Sequence, residues 1–430
     1  MKRKKWLALG LTVALVMSPV TGVYAQEENS SGIENTTVKG AKGDVSTSGD
    51  EDPAVVSEEG ENITVEGNVT TTGDASAGVI GENDSNITVN GDITTSGGSI
   101  KGKDENGEYW RSSDGVIANG ATVKVNGDIT VSGTGSAGVS ANNNATVEVT
   151  GNVEAKGDNQ THEGQTGGTY IDKWADGVEA DNGSKVTVDG NVTSQKGWAI
   201  DSHGSDVTVN GDVHSEKGSA INARKGSTIT IDGSVSSNAG ITLGGIIETT
   251  ESTIKITKDV TAKNAWGILA GSEADIEVGG NISSEKVAVY IAGKDALIVV
   301  DGNVYSTKGC AMDILEQAEA TVKGDVSGNK LAIWMDNSSK LQALGKISSN
   351  DVGILLSLYG DQGTGELELG TIDAQTAISI NYGEYKDIRL RLAGRYQIDN
   401  AATVLEAVDA LRRNGVSIPG DAVRKGFVKE

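Results

Sequence analysis

A unit of 21–25 residues recurs along most of this chain, and this repeat constrains the fold more than any other feature. One copy, residues 186–202 (VTVDGNVTSQKGWAIDS), predicts three short strands separated by two turns. Its alternation places apolar residues on one side and polar residues on the other. A single unit cannot bury its apolar side, so we expect successive units to stack. The apolar positions are Val186, Val188, Val192 and Ile200, and the polar ones are Thr187, Asn191, Thr193 and Asp201.

Two columns of small residues mark the register of the repeat. A glycine stands in the first turn of thirteen of the fourteen units, and Lys258 takes its place once. Because glycine recurs so regularly at this position, we predict that the backbone there has a positive φ. We expect the Asn or Asp that follows it to hydrogen-bond the local backbone. A second column, at the start of the third strand, contains only Gly or Ala when Gly240 is taken as its eighth member. This column indicates crowding where backbones stack about 4.8 Å apart.

Units of three strands and about 22 residues resemble the right-handed parallel β-helix of the pectin-lyase-like superfamily. Pectate lyases, polygalacturonases and many secreted, adhesin-like repeat proteins of bacteria have this fold. The resemblance covers residues 36–387 and implies the fold without implying an activity. We therefore predict an all-β, right-handed, single-stranded parallel β-helix of about fourteen coils, with two inserted loops and a C-terminal helical cap. The left-handed alternative needs strict hexapeptide repeats, which this sequence lacks.

The first 25 residues are typical of a signal peptide. Basic residues at positions 2–5 precede an apolar run at 6–20, and Val23-Tyr24-Ala25 matches the small-x-small pattern of a cleavage site. A membrane anchor is the alternative, but the apolar run is short for it. We predict a secreted, extracellular protein cleaved after Ala25. The predicted division is a signal peptide (1–25), a flexible leader (26–35), the β-helix (36–387) and a strand and helix cap (388–430).

The last residues break the repeat. The run AATVLEAVDALRR (401–413) predicts a helix with Asp399 or Asn400 as its N-cap and Gly415 as its stop. In the preceding coils, the outward column of the third strand turns apolar and is interrupted only by Asp313. We expect an apolar helix stripe to fold back over this column. The column residues are Leu269, Tyr290, Trp334 and Leu355, and the stripe residues are Val404, Leu405, Val408 and Leu411.

Charge and cysteine content exclude several classes of function. The formal net charge of −24 disfavours nucleic acid and anionic membranes, which bind basic surfaces. Cys310 is the single cysteine, so the chain has no intrachain disulfide, zinc ribbon or dithiol redox motif. We expect no cofactor, no metal site, no nucleic-acid partner and no membrane insertion.

Aromatic residues collect near one corner of the predicted coil. Two insertions, at about 97–114 and 157–176, expand the connection between the second and third strands. Exposed rings on a rigid scaffold are typical of binding surfaces, and rings beside short polar groups suit sugars. The alternative is that these rings pack against their own loops. The candidate ligand-binding residues are Tyr109, Trp110, Tyr170, Trp174, Trp198 and Trp266.

A second candidate site lies on the outward face of the third strand. Stacked carboxylates can raise one pKa, and a carboxylate pair with His and Arg suits acid–base chemistry. An ordinary solvated ladder of charges is the alternative, and no catalytic motif of the β-helix lyases or polygalacturonases is present. The candidate catalytic residues are Glu179, Asp181, Asp201, His203 and Arg224.

Three functional hypotheses follow. The first is an exported, non-enzymatic, adhesin-like protein that contacts a polysaccharide, a surface glycan or a protein partner through the aromatic corner. The second is a polysaccharide lyase or glycoside hydrolase that uses the carboxylate, His and Arg cluster. The third is a structural spacer.

Overall fold

The computed structural model describes most of the chain after residue 40. The described ranges are 41–58, 60–104, 107–163, 169–239, 245–336, 338–358, 366–382, 385–390 and 395–428. The predicted signal peptide, the predicted leader and the first five residues of the predicted β-helix lie outside the described residues.

Each coil contributes one strand to each of three sheets, which we number in the order in which a coil meets them. Sheet 1 contains Asn62–Val65, Asn86–Val89, Thr122–Val125, Thr146–Val149, Lys185–Val188, Asp206–Val209, Thr228–Ile231, Thr253–Ile256, Asp275–Val278, Leu297–Val300, Glu319–Val322, Lys340–Ala343 and Glu366–Leu369. Sheet 2 contains Val45–Thr47, Val69–Thr71, Ile93–Thr95, Ile129–Val131, Val153–Ala155, Val192–Ser194, Val213–Ser215, Val235–Ser237, Val260–Ala262, Ile282–Ser284, Val304–Ser306, Val326–Ser327, Ile347–Ser348 and Ile372–Asp373. Sheet 3 contains Val55–Ser57, Val79–Glu82, Val116–Asn119, Val139–Asn142, Val178–Asp181, Ile200–His203, Ile221–Arg224, Gly245–Thr249, Trp266–Ala270, Val289–Ala292, Met312–Leu315, Leu331–Asp336, Val352–Leu358, Thr376–Tyr382 and Tyr385–Leu390.

The predicted fold is confirmed: the chain forms a right-handed parallel β-helix of about fourteen turns. Each strand pairs in parallel with the equivalent strands of the coils before and after it, so that Val186 stacks between Val147 and Val207. The inward residues of the 186–202 unit are completely or almost completely buried, as the alternation predicts. Val, Ile and Ala from all three sheets fill a continuous core along the axis.

The first-turn glycines have a different cause from the one predicted. None of them has a positive φ. A Cβ added at Gly127 would instead lie 2.4 Å from the carbonyl oxygen of Gly91, and one added at Gly190 would lie 2.5 Å from that of Gly151. At these two positions the backbones of successive coils therefore approach too closely for a side chain.

The Asn or Asp after this glycine bonds the neighbouring coil rather than its own turn. The backbone N–H of Asp92 donates to Asn68 Oδ1 at 2.9 Å, and that of Asp128 donates to Asp92 Oδ1 at 2.9 Å. The same contact recurs between Asn303 and Asn281 at 2.9 Å. A ladder of side-chain acceptors therefore ties consecutive coils together at this corner, each bond contributing about 1 kcal/mol.

The Gly/Ala column at the start of the third strand has one exception. The inward residue of the eighth coil is Ile247, which pairs with Ile221 before it and Ile268 after it. The residue preceding it is Ile246, so the assignment of this position to Gly240 is wrong. Glu248 consequently takes the outward position between Asn222 and Leu269. Residues 240–244 lie outside the described residues.

The C-terminal cap is a strand followed by two helices, α1 (Arg395–Arg413) and α2 (Gly420–Val428). Helix α1 begins at Arg395, so the predicted N-cap at Asp399 or Asn400 is wrong, and α2 was not predicted. The predicted stop is confirmed, because Gly415 has a φ of 87° and the N–H of Val416 donates to Leu411 O at 3.0 Å. Neither helix in the described part of the chain has the length and apolarity needed to cross a bilayer.

The predicted fold-back of the helix over the apolar column is wrong. Strand Tyr385–Leu390 runs antiparallel to Thr376–Tyr382 and closes the end of sheet 3, and both helices contact this last pair of strands. Val404 and Leu411 of the predicted stripe are each 47% exposed, whereas Leu405 is buried. The helices therefore cap the final coil and leave the outward column of the earlier coils without that cover.

Candidate functional site

Both insertions are β-hairpins that leave the same connection, between sheets 2 and 3. The first pairs Ile100–Asp104 with Gly107–Arg111, and the second pairs Gln160–Glu163 with Thr169–Lys173. The coils that carry them are separated by one coil, so their bases lie about 10 Å apart along the axis. The predicted common corner is confirmed, and it places the hairpins beside the outward face of sheet 3.

Each hairpin is anchored by a buried aspartate where the chain returns to the coil. Asp114 is 1% exposed and its Oδ1 accepts the backbone N–H of Ala137 at 2.8 Å. Asp176 is 3% exposed and its Oδ1 accepts the backbone N–H of Trp198 at 2.7 Å. Each carboxylate thus bonds the coil that follows, and fixes its hairpin to the scaffold. This role was not predicted from the sequence, although both insertions end in the same Asp-Gly pair, and that repetition could have indicated a shared structural role.

These two aspartates join three predicted catalytic residues in what we call the acidic row: Asp114, Asp176, Glu179, Asp181 and Asp201. Glu179 and Asp201 occupy directly paired outward positions of adjacent strands, and Asp181 pairs likewise with His203. Ser140, on the coil between those of Asp114 and Glu179, donates its Oγ–H to Asp114 Oδ2 at 2.8 Å. Equivalent positions on adjacent parallel strands lie about 4.8 Å apart, so the row concentrates negative charge within a few coils.

His203 lies between two carboxylates of the row. Its Nδ1 is 3.2 Å from Asp181 Oδ1 and its Nε2 is 3.4 Å from Asp201 Oδ1. The hydrogen bond to Asp181 raises the pKa of His203, and the charge of Asp201 acts in the same direction. Arg224 pairs with His203 on the next strand, and its charge opposes the rise that burial produces in the pKa of Glu248. The structure therefore brings all five predicted catalytic residues onto neighbouring positions of sheet 3.

Burial is the largest influence on the pKa values of Asp201 and Asp176 in the acidic row. It raises the pKa of Asp201 to about 6, although the charge of His203 and the amide of Asn222, 2.6 Å away, oppose the rise. Burial also raises the pKa of Asp176 well above its ordinary value, assisted by Asp201 and Glu179. Burial lowers the pKa of Lys173, at the end of the second hairpin, but the charges of Asp114, Glu179 and Asp176 reverse the effect and raise it. Lys173 is thus a cation held over three acids.

This chemistry suits proton transfer or the acceptance of hydrogen bonds from a ligand. A carboxyl with a pKa of about 6 beside a second carboxyl can donate a proton near neutral pH. In the described part of the chain, no three His, Cys, Asp or Glu side chains converge closely enough to hold a metal ion.

The six candidate binding aromatics divide into four groups. The rings of Trp174 and Trp198 lie 6.3 Å apart at an interplanar angle of 59°, next to the acidic row. On the first hairpin, the guanidinium of Arg111 lies 5.3 Å from the centre of the Tyr109 ring. The ammonium of Lys101 lies 5.9 Å from the centre of the Trp110 ring. On the second hairpin, Tyr170 stacks on His162 at 5.5 Å and remains 52% exposed. Trp266, in a later coil, stacks on Tyr290 at 5.5 Å.

The aromatic corner is therefore not one continuous surface. Tyr109 and Trp110 contact side chains of their own hairpin, as the alternative interpretation expected. Trp174 and Trp198 bring the second hairpin and the coil together beside Asp176, whose carboxylate accepts the N–H of Trp198. This pair is the part of the predicted surface that adjoins ionisable groups. Comparison with family models, with curated proteins and with solved structures found no match to this chain.

Proposed function

We propose that this protein is an exported, non-enzymatic and adhesin-like β-helix that binds a glycan on the outward face of sheet 3. The observation that carries the proposal is the position of Trp174 and Trp198, partly exposed and 6.3 Å apart, at the edge of the acidic row. Aromatic faces pack against the C–H faces of sugars, and carboxylates accept hydrogen bonds from hydroxyl groups. The basic and apolar segments of residues 1–25 support export.

The charge of the site narrows the class of glycan. Five carboxylates stand in the row, and Lys173, at the end of the second hairpin, is a cation close to three of them. Anionic polysaccharides would meet like charge in a site where burial already disfavours ionisation. The proposed ligand is therefore a neutral or amino-substituted polysaccharide. Tyr170 and Ile171, which are 52% and 39% exposed on the second hairpin, extend the apolar part of the surface.

A glycan array probed with wild type and two matched variants tests the proposal. Trp198→Ala removes one ring of the pair, and we expect it to weaken binding at least tenfold. Tyr305→Ala removes a ring that is 42% exposed on sheet 2, and we expect no change. Circular dichroism establishes that both variants keep the β-helix. Absence of any glycan binding by wild type, or equal binding by Trp198→Ala, contradicts the proposal.

A second candidate function is glycoside hydrolysis or polysaccharide lysis. The specific observation in its favour is the pKa of Asp201, about 6, in a carboxyl directly paired with Glu179. Such pairs supply the acid and the base or nucleophile of glycosidases. Release of reducing ends from neutral polysaccharides distinguishes the two functions. Sustained turnover that Asp201→Asn and Glu179→Gln abolish would establish an enzyme and overturn the non-enzymatic proposal.

A further inference from the structure

The outward column of sheet 3 changes character beyond the acidic row. After Asn222 and Glu248, its members are Leu269, Tyr290, Asp313, Trp334 and Leu355, which we call the distal column. Asp313 is the single acid in this column and stands between the two aromatic residues. Five coil steps separate Asp201 from Asp313, about 24 Å along the axis, so the two regions are distinct.

Asp313 is buried without a partner for one of its oxygens. Its residue is 8% exposed, and Oδ1 accepts no hydrogen bond. No salt bridge to Asp313 occurs among the described residues. Burial raises the pKa of this carboxyl to about 6, and the thiol of Cys310 is the hydrogen-bond donor that opposes the rise. A buried acceptor with no donor is unfavourable and marks a position that a ligand can satisfy.

Aromatic rings bracket this acid along the column. Tyr290 is paired with Asp313 on the preceding strand, and Trp334 is paired with it on the following strand. Trp266 stacks on the ring of Tyr290 at an interplanar angle of 28°. The indole N–H of Trp334 donates to Ser357 Oγ at 3.0 Å in the next coil, which fixes this ring and directs its donor away from Asp313. The acid is therefore flanked in register by two aromatic residues, and the indole donor of Trp334 is already used in the next coil.

We propose that Asp313, Tyr290 and Trp334 form a binding site for a quaternary ammonium group. Aromatic faces attract organic cations, and the unpaired carboxylate supplies the opposite charge in a desolvated place. A metal ion is disfavoured because Asp313 is the only carboxylate in the distal column. A primary ammonium carries three N–H donors, whereas Asp313 Oδ1 is the one buried acceptor without a bond at this position. A quaternary ammonium has no N–H donors to leave unpaired when it enters the aromatic surroundings.

Calorimetric titration with choline at pH 7.5 and constant ionic strength tests this site. We expect saturable binding by wild type, with at least a tenfold loss of affinity in Asp313→Asn and in Trp334→Ala. Asp301→Asn is the matched control, because Asp301 is exposed and pairs with Lys323 at 2.7 Å in the turn that follows sheet 1. We expect that variant to bind as wild type does. The uncharged isostere 3,3-dimethylbutan-1-ol measures the apolar contribution alone, and we expect no saturable binding of it.

A measurement at pH 5 supports the assignment without a substitution at the site. Protonation of Asp313 removes its charge, so choline affinity is expected to fall at least fivefold relative to pH 7.5. The ionisable groups near Asp313 are the thiol of Cys310, the phenol of Tyr290 and the carboxyl of Glu316, which follows the same strand as Asp313. The same pH dependence in Glu316→Gln assigns the effect to Asp313. Absence of choline binding by wild type, binding retained by Asp313→Asn, or equal binding of the neutral isostere each overturns the proposal.

Discussion

Replacing Asp313 by Asn is expected to stabilise the protein at neutral pH. The pKa of this carboxyl is about 6 in the fold, against 3.8 for an ordinary aspartate. A difference of about two units corresponds to roughly 3 kcal/mol, at about 1.4 kcal/mol per unit. Because the folded form holds its proton more tightly than the unfolded form, this penalty is present above pH 6. It diminishes as the pH falls and disappears below about pH 4. The Asn variant lacks the charge but keeps a buried polar group, so we expect a net gain of about 1–3 kcal/mol at pH 7.5.

The assay is urea unfolding of both proteins at pH 7.5 and pH 4, followed by tryptophan fluorescence. Long repeat arrays can unfold in parts, so amide hydrogen exchange over residues 312–315 provides the local comparison. The expected result is a variant that is more stable at pH 7.5 and indistinguishable from wild type at pH 4. A variant that is less stable at pH 7.5, or equally favoured at both pH values, would refute the argument that this carboxylate is buried and unpaired.

Two further predictions concern the scaffold and its cap. Gly127→Ala is expected to lower stability by several kcal/mol, because its Cβ would lie 2.4 Å from a carbonyl oxygen of the preceding coil. Gly43→Ala, at the equivalent position of the first described coil, meets nothing within 4 Å and is expected to change thermal unfolding little. Arg412→Ala removes the bond from Nε to Ile418 O at 3.0 Å and the cover over the ring of Tyr385 at 5.1 Å. We expect faster amide exchange in the two cap helices and unchanged exchange in the central coils, and uniform exchange would contradict the cap's local role.

The stacked core was predictable because parallel register repeats one inward pattern in every coil. The same logic failed at the eighth coil for a physical reason. Ile241 and Ile247 are both aliphatic residues that could take the inward position of the third strand in this coil. The coil is longer than its neighbours, and the two alignments differ only in whether its additional residues precede or follow that strand. The structure takes the later alignment, which places Ile247 inside between Ile221 and Ile268. Periodicity alone does not choose between them.

The candidate sites were predictable in position but not in environment. Alternation along the third strand placed Glu179, Asp201 and Asp313 on the outward face, and the register confirms these placements. Their burial arises from neighbours that alternation does not describe, such as the hairpin that holds Lys173 over the acidic row. The perturbed pKa of Asp201 and the orphaned oxygen of Asp313 follow from that burial. The alternation of the sequence therefore predicts which residues face outward, whereas their burial and pKa values depend on how side chains of neighbouring coils pack around them.

Outward charges on sheet 1 show why the proposed sites lie on sheet 3 instead. On sheet 1, opposite charges meet at one-coil spacing, as in Lys255 with Glu277 at 3.1 Å and Lys340 with Glu319 at 2.6 Å. These pairs are exposed to water, and a ligand that displaced them would gain little. The acids of sheet 3 are less exposed: Asp313 is 8% exposed, and the side chains of Asp181 and Asp201 are 18% and 17% exposed, so much of their desolvation precedes any ligand. An incoming hydroxyl or ammonium group therefore meets carboxylates that are partly or largely removed from water, where each new contact is stronger than in water.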